Sequence, residues 1–262
     1  MNNSAPIIIT SPVRRSGTTL IQRLLSSSTN CLIFGESSAR DLQMYANLLM
    51  SKQLQYLNSK ELRDLQISSV LKGNVNDWIP DLLPEVDFYI EQTKQSLLGI
   101  LNSFQEYANQ HQRPIWGMKL PEWTPSNLIL GKQFYPELKV VYIERNIADC
   151  IRSAKQVNMI QNIGEVDQFC QAWKTHVDMA KQHFDEKNTL YISYESLIEN
   201  PESILNELES FTGAHQIDRS VLEAKFNTYK AKMDDENDET VGRYVEPSEL
   251  SEEELEIVKK YI

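Results

Sequence analysis

Short apolar runs alternate along this chain with longer segments in which apolar residues recur every three or four positions. Runs rich in Ile and Val are typical of buried parallel strands, whereas the longer spacing is typical of amphipathic helices. The runs that favour strands lie at residues 7–9, 31–34, 114–119, 138–143 and 189–192. Because strands and helices alternate, the pattern predicts an α/β fold, with a mostly parallel sheet of about five strands and helices on both faces.

The connection between the second and third strands is much longer than the others. Residues 37–72 carry the periodicity of two helices, Gly73 suits a helix C-cap, and residues 86–109 carry the periodicity of a third helix. A helical insertion of this length, residues 37–113, near the ends of parallel strands is a natural lid over a bound substrate. The sequence therefore predicts a single domain, residues 1–262, with one helical insertion.

Composition argues against several classes of protein. The 262-residue chain carries a net charge of −11, which makes nucleic acid a poor partner. It has no apolar run of about 18 residues and no pattern of a secretion signal near its start, so we expect a cytoplasmic protein that does not bind membranes. Its three cysteines, Cys31, Cys150 and Cys170, are far apart, which predicts reduced thiols and no metal site. Nothing in the sequence indicates or excludes a homo-oligomer.

The first candidate for chemistry directly follows the first strand. Residues 14–19 form a polar loop between that strand and a helix, and we call them the phosphate loop. A strand, a loop and a helix in this order present the backbone N–H groups of a helix N-terminus to an anion. Gly17 allows close approach of the backbone, Thr18 and Thr19 add hydroxyl donors, and Arg15 adds a cation. This composition predicts a phosphate-binding site.

The phosphate loop differs from the P-loop of nucleotide-binding proteins. The P-loop pattern requires Gly, four residues, and then Gly-Lys-Ser/Thr. Here Pro12 stands five residues before Gly17, and Thr18 stands where the lysine is required. An ATP-dependent small-molecule kinase with a degenerate P-loop is therefore an alternative that the missing lysine disfavours.

The second candidate lies at the end of the fourth strand. Arg145 follows strand residues 138–143, and Ser153 lies eight residues further on, in the next helix. An arginine at a strand end and a serine in the following helix can converge on one phosphate, the arginine through a bidentate contact and the serine through its hydroxyl. Taken singly, the two residues also fit an exposed ion pair and a polar helix face.

Together, the two segments resemble motifs of the sulfotransferase family, whose members take a sulfuryl group from 3′-phosphoadenosine-5′-phosphosulfate (PAPS) and release 3′-phosphoadenosine-5′-phosphate (PAP). Residues 15–19, Arg-Ser-Gly-Thr-Thr, resemble the family's 5′-phosphosulfate loop, and Arg145 with Ser153 resembles its strand-Arg-x7-Ser motif for the 3′-phosphate. The resemblance implies a P-loop-like sheet and a reaction without a metal ion. It also implies that these residues of the phosphate loop contact the donor: Arg14, Arg15, Ser16, Gly17, Thr18 and Thr19.

Weaker similarities extend toward the C-terminus. Tyr194, in residues 190–201, resembles the tyrosine of a family segment near the adenine. Arg243, in Val-Gly-Arg-Tyr, resembles a late basic segment that covers the nucleotide in bacterial members and in tyrosylprotein sulfotransferases, and we expect it to reach the 3′-phosphate. A tyrosine at the edge of the core and a plain surface loop are the simpler interpretations of these two segments.

The resemblance also implies catalytic groups. Arg15 would stabilise charge on the leaving 5′-phosphate, and Lys119, which matches a family lysine after the third strand, would hold the sulfonate oxygens. Cytosolic members place a histidine base two residues after this lysine, where this chain has Pro121. We therefore expect Glu36 to be the general base, as in the tyrosylprotein-sulfotransferase-like branch, with Glu122 as the alternative.

No motif identifies the acceptor. A small metabolite with a hydroxyl or amine is expected, as for bacterial natural-product sulfotransferases. Four acidic residues of the insertion suit a cationic acceptor, although they also suit a solvated surface: Asp77, Asp81, Glu85 and Asp87. A non-catalytic nucleotide-binding module is a further alternative, and it would require that Glu36 and Lys119 take no part in chemistry.

Overall fold

The computed structural model of the chain describes residues 4–223 and 247–262. Its centre is one parallel sheet with the strand order β2–β3–β1–β4–β5. The strands are β1 (Ile7–Thr10), β2 (Cys31–Phe34), β3 (Ile115–Lys119), β4 (Lys139–Glu144) and β5 (Thr189–Ser193). The predicted five-stranded parallel sheet is thereby confirmed, and β1 lies in its middle, where both faces are covered. This position explains why β1 is a run of isoleucines rather than an alternating strand.

Ten α-helices surround the sheet in the described part of the chain. The first five are α1 (Thr18–Ser27), α2 (Glu36–Leu57), α3 (Lys60–Leu71), α4 (Val86–Gln110) and α5 (Pro125–Gly131). The others are α6 (Ile147–Gln156), α7 (Ile163–His183), α8 (Tyr194–Glu199), α9 (Pro201–Thr212) and α10 (Glu252–Val258). α7 begins after Asn162, whose side chain accepts from the backbone N–H of Glu165, and it ends before Phe184, whose backbone is extended.

Successive side chains of β1 point to opposite faces of the sheet and enter two separate cores. Ile8 packs with residues of α2, α4, α5 and α7, whereas Ile7 and Ile9 pack with residues of α1, α8 and α9. This alternation is the two-residue period of a strand. Helices therefore cover both faces, as the sequence pattern predicts.

The insertion between β2 and β3 consists of α2, α3 and α4, and its helices are confirmed. Leu42 and Leu49 of α2 and Leu101 of α4 are fully buried in the core beneath the sheet. In contrast, no residue of α3 is fully buried, so α3 lies at the surface, beside α4. None of the helices in the two described ranges is both long and apolar enough to cross a membrane.

Arg113 joins the end of the insertion to the first βαβ unit. Its Nη1 donates to the carbonyl oxygens of Ser26, Ser28 and Cys31 over 2.6, 2.8 and 2.8 Å. Two of these carbonyls belong to the last turn of α1 and its C-cap, where helix carbonyls lack helical partners. A cation there also interacts favourably with the helix dipole.

Replacing Arg113 by methionine should therefore destabilise the fold. We expect a loss of about 1.5–3 kcal/mol in the free energy of unfolding, measured in urea, because three carbonyls lose a charged donor. Arg23→Met is the matched control, since Arg23 is an exposed residue of α1. An equal, small loss in both variants would show that the three carbonyls do not depend on the guanidinium.

Candidate active site

The phosphate loop lies at the carboxyl edge of the sheet, between β1 and α1. The hydroxyls of Ser11 and Ser16 both donate to the carbonyl oxygen of Val13, over 2.7 and 2.9 Å. Nδ1 of His176, on α7, lies 2.6 Å from the carbonyl oxygen of Pro12. These three contacts hold the turn from inside and attach it to the helix behind it.

Two residues of the phosphate loop have a left-handed backbone conformation. The φ angles are +69° for Arg15 and +103° for Gly17, a region that glycine adopts at little cost. A Cβ at Gly17 would lie only 2.7 Å from Cδ2 of Tyr194 and 3.0 Å from Cδ1 of Ile143. The glycine is therefore needed both for the turn and for close packing of the tyrosine ring against it.

Arg15, Arg145 and Ser153 come together above this turn. Nε of Arg15 donates to Oγ of Ser153 over 3.0 Å, although the two residues are 138 positions apart. Nη1 of Arg145 donates to the carbonyl oxygen of Arg15 over 3.3 Å. The ring of Tyr194 packs against Arg145, with 4.3 Å from Cζ to the ring centroid. The two sequence motifs thus form one structural unit.

The electrostatics of this unit favour an anion. Burial, followed by the nearby charge of Arg145, lowers the pKa of Arg15. Two like charges held close together repel, and a phosphate bound between them would relieve the repulsion. Nε of Arg145 is buried and has no hydrogen-bond partner within the two described ranges. An unpaired buried donor is costly, so this atom marks a position where an acceptor oxygen of a ligand fits.

Glu36 and Lys119 form the other half of the site. Nζ of Lys119, at the end of β3, lies 2.7 Å from Oε1 of Glu36, the first residue of α2. Nη2 of Arg40, one turn further along α2, donates to Oε2 of Glu36 over 3.1 Å. The carboxylate is therefore held at both oxygens by cations. The side chain of Lys119 is only 10% exposed, and that of Glu36 is 37% exposed.

Glu122, the alternative base, lies apart from this pair. Its Oε2 is 3.5 Å from Nε of Arg14, and both side chains are at least a third exposed. Its backbone N–H donates to the carbonyl oxygen of Ser11 over 2.8 Å. Arg14 and Glu122 therefore form an ion pair at the rim.

A cavity of about 460 Å³ contains most of the predicted site residues, and we call it the site cavity. The predicted residues among its lining are Arg14, Arg15, Gly17, Thr18, Thr19, Glu36, Lys119, Arg145, Ser153 and Tyr194. Ser16 is fully buried, and its hydroxyl lies against Val13 and Cys150, so only its backbone is suited to contact a phosphate. Arg243 lies outside the described residues.

A family model described as the sulfotransferase family matches residues 6–218 of the sequence. This match spans most of the chain and includes both motifs. The chain belongs to the sulfotransferase family. A search of curated proteins finds no match to its sequence.

Solved sulfotransferase domains share the fold. The domain from the curacin biosynthetic pathway is 17% identical, with 87% of this chain and 80% of that chain covered and a TM-score of 0.50. The domain from the olefin synthase of Synechococcus PCC 7002 is 15% identical, with 100% and 96% covered and a TM-score of 0.51. At these identities the likeness shows the α/β fold of the family.

Several residues that line the site cavity of this family member were not predicted as site residues. Arg40 is one of them, although its position four residues after Glu36 on a helix is a signal that could have found it. The others carry no motif and reach the cavity through tertiary packing: Leu20, Pro121, Met159, Ile198, Leu222, Glu223 and Pro247.

A larger cavity of about 750 Å³ lies on the α7 side of β4 and β5. Its walls include the aromatic residues Tyr142, Trp173, Phe184 and Tyr191. Of the predicted site residues that the structure describes, only Arg145 lines it. We assign the family's chemistry to the smaller site cavity, because both sequence motifs, Glu36 and Lys119 converge there.

Replacing Gly17 by alanine should damage the site cavity. The new Cβ would clash with the ring of Tyr194 and strain a left-handed backbone, so we expect PAP affinity to fall at least tenfold in calorimetric titration. Gly35→Ala is the matched control, because nothing lies within 4 Å of a Cβ at Gly35 and its φ is −84°. If Gly17→Ala and Gly35→Ala bind PAP equally well, the close packing of Tyr194 is not required for the site.

Proposed function

We propose that this protein is a PAPS-dependent sulfotransferase that transfers a sulfuryl group to a hydroxyl or amine of a small metabolite. The observation that carries the proposal is the convergence of Arg15, Arg145 and Ser153 over the left-handed turn at Gly17. One cavity then offers two neighbouring anion sites. PAPS has its anionic groups at both the 3′ and the 5′ position of one nucleotide.

The residues present fit this donor. The buried Nε of Arg145 lacks a hydrogen-bond partner within the described part of the chain, and a 3′-phosphate oxygen would supply one. Gly17, Thr18 and Thr19 at the N-terminus of α1 are suited to the 5′-phosphosulfate. Tyr194 and the apolar residues Ile198 and Leu222 line the same cavity and are suited to the adenosine.

The proposed reaction is an in-line displacement at sulfur. The bond between sulfur and the bridging oxygen of the 5′-phosphate breaks, while a bond forms between sulfur and the acceptor oxygen or nitrogen. Negative charge grows on the leaving phosphate, where Arg15 and the backbone N–H groups of the phosphate loop would stabilise it. Lys119 has three N–H donors, so its ammonium can remain near Glu36 and also donate to a sulfonate oxygen.

The acceptor must lose a proton during this transfer, and Glu36 is placed to receive it. Its carboxylate lines the site cavity beside Lys119, so a nucleophile bound there would lie near both the base and the sulfonate. Glu122 is occupied by Arg14 at the rim. Glu36 is itself paired with Lys119 and Arg40, so what favours it is its place in the cavity lining, where Glu122 is not found among the described residues. This choice agrees with the base of the tyrosylprotein-sulfotransferase-like branch of the family.

A kinase with a degenerate P-loop is the competing function. It would bind ATP with Mg²⁺, and Thr18 stands where the P-loop lysine of such an enzyme is required. Titration with PAPS, PAP and ATP, each with and without Mg²⁺, separates the two. We expect tight binding of PAPS and PAP that does not depend on Mg²⁺. ATP bound more tightly than PAP, and only with Mg²⁺, would overturn the proposal.

The assignment of the 3′-phosphate site predicts a preference for PAP over AMP. Arg145→Ala should remove most of this preference, about 1.5–3 kcal/mol, because a charge-assisted contact is lost. Arg152→Ala is the control: Arg152 is on α6 next to Ser153, but it pairs with Asp149 and Glu249 instead. Calorimetry with both nucleotides gives the measurement. If Arg145→Ala still prefers PAP over AMP as strongly as the wild type does, the 3′-phosphate binds elsewhere.

The assignment of the base predicts separate effects on binding and chemistry. Glu36→Gln keeps the size of the side chain but removes the proton acceptor, so turnover should fall by about 10²–10⁴-fold while PAPS affinity stays nearly unchanged. Glu122→Gln is the matched control and should remain active. Mass spectrometry of the sulfated acceptor measures turnover. If Glu36→Gln is active and Glu122→Gln is inactive, the general base is Glu122 and not Glu36.

A further inference from the structure

The acidic residues of the insertion do not face the site cavity. Within the described ranges, none of residues 77, 81, 85 and 87 lines it. Two of them form ion pairs inside the insertion instead: Asp81 with Arg63 over 2.8 Å, and Asp87 with Lys60. These carboxylates therefore hold α3 to the following loop through Asp81 and to α4 through Asp87. They provide no reason to expect a cationic acceptor.

The charge that the insertion does present to the cavity is positive. Arg40 lines the cavity one turn after Glu36 on α2, and residues four apart lie on the same face of a helix. Its side chain is 58% exposed. Its bond to Glu36 uses Nη2, and a guanidinium has five N–H donors in all. Arg40 can therefore keep this bond and still present donors to a ligand.

The other cations that line the cavity each contact one of the two nucleotide motifs, Glu36 or Glu122. Arg15 and Arg145 join the two nucleotide motifs, Lys119 is nearly buried against Glu36, and Arg14 pairs with Glu122. Among the described lining residues, Arg40 is the basic side chain that belongs to neither motif and lies on the insertion. It follows Glu36, the proposed base, by one turn of α2.

We propose that Arg40 recognises an anionic group of the acceptor, and hence that the acceptor is a hydroxylated anion such as a hydroxycarboxylate. This inference rests on the proposed function. The hydroxyl would lie at Glu36, and the anionic group would lie at the N–H donors of Arg40 that do not contact Glu36. A planar guanidinium matches a carboxylate through two parallel hydrogen bonds. A cationic acceptor would instead be repelled by Arg40.

The test uses acceptors that share a nucleophile and differ in charge. One series consists of 4-hydroxyphenylacetate, its neutral amide and N,N,N-trimethyltyramine. An aliphatic series consists of 4-hydroxybutyrate, its amide and the matching trimethylammonium alcohol. Sulfation is followed by mass spectrometry, and binding of each compound to the enzyme–PAP complex is followed by ligand-observed NMR. We expect the anion to be preferred over the cation by at least tenfold in kcat/KM in the series that reacts.

Variants of Arg40 separate recognition of the acceptor from positioning of Glu36. Arg40→Gln should raise KM for the anion by about ten- to a hundredfold, as expected for one lost charge-assisted contact, and should leave KM for the amide nearly unchanged. Arg40→Lys should retain part of the preference, and Arg40→Glu should favour the cation. A positioning role alone would instead lower kcat equally for all three compounds. Arg23→Gln, an exposed arginine of α1, is the control for loss of charge.

Three outcomes would overturn the inference. They are a wild-type preference for the cation, a preference that Arg40→Gln does not change, and failure of both anions to bind the enzyme–PAP complex. PAP binding and PAPS consumption are measured in the same preparations. If they are normal while the charge preference is absent, only the inference about Arg40 fails. If no compound is sulfated and PAP does not bind, the proposed function fails and this inference fails with it.

Discussion

The site depends on two arginines, Arg15 and Arg145, whose like charges interact in a protein whose net charge is −11. Their mutual repulsion is offset locally: Arg145 lies over the ring of Tyr194, and Arg15 donates to Ser153. The tyrosine ring can take this position because Gly17 is left-handed and has no Cβ to clash with it. The left-handed backbone of the phosphate loop therefore helps to determine where the charged groups of the site can lie.

A parallel sheet suits this site because it brings groups that follow different strands to one edge. Each group sits just after a strand: the phosphate loop after β1, Glu36 after β2, Lys119 at the end of β3, Arg145 after β4 and Tyr194 after β5. Because all five strands are parallel, their carboxyl ends lie at one edge. Residues remote in sequence thereby meet without any long loop. Glu195 adds a cross-link along this edge, since its Oε1 accepts from the backbone N–H of Asn146 over 2.8 Å.

The sequence predicts those features that are local. The isoleucines of β1 indicate a buried parallel strand, and the spacing from Arg145 to Ser153 places the arginine just before α6 and the serine within it. It does not predict that Ser153 binds Arg15, or that Ser16 faces Cys150, because both contacts depend on how α6 packs on the sheet. The insertion illustrates the same limit. Its helical periodicity is visible, but which of its charges reach the cavity depends on the direction of α2 and the exposure of α3.

In the proposed reaction, this arrangement would also separate the two substrates. The donor would be held by strand ends and by helices packed on the sheet, where a side-chain change disturbs the core. The acceptor would be held by α2, which begins at Glu36 and carries Arg40 one turn later. A substitution at Arg40 would then change the charge offered to the acceptor, since Arg15, Arg145 and the phosphate loop do not depend on Arg40 for the contacts described above. Under this proposal, acceptor preference could diverge on this fold while the proposed nucleotide site stays the same.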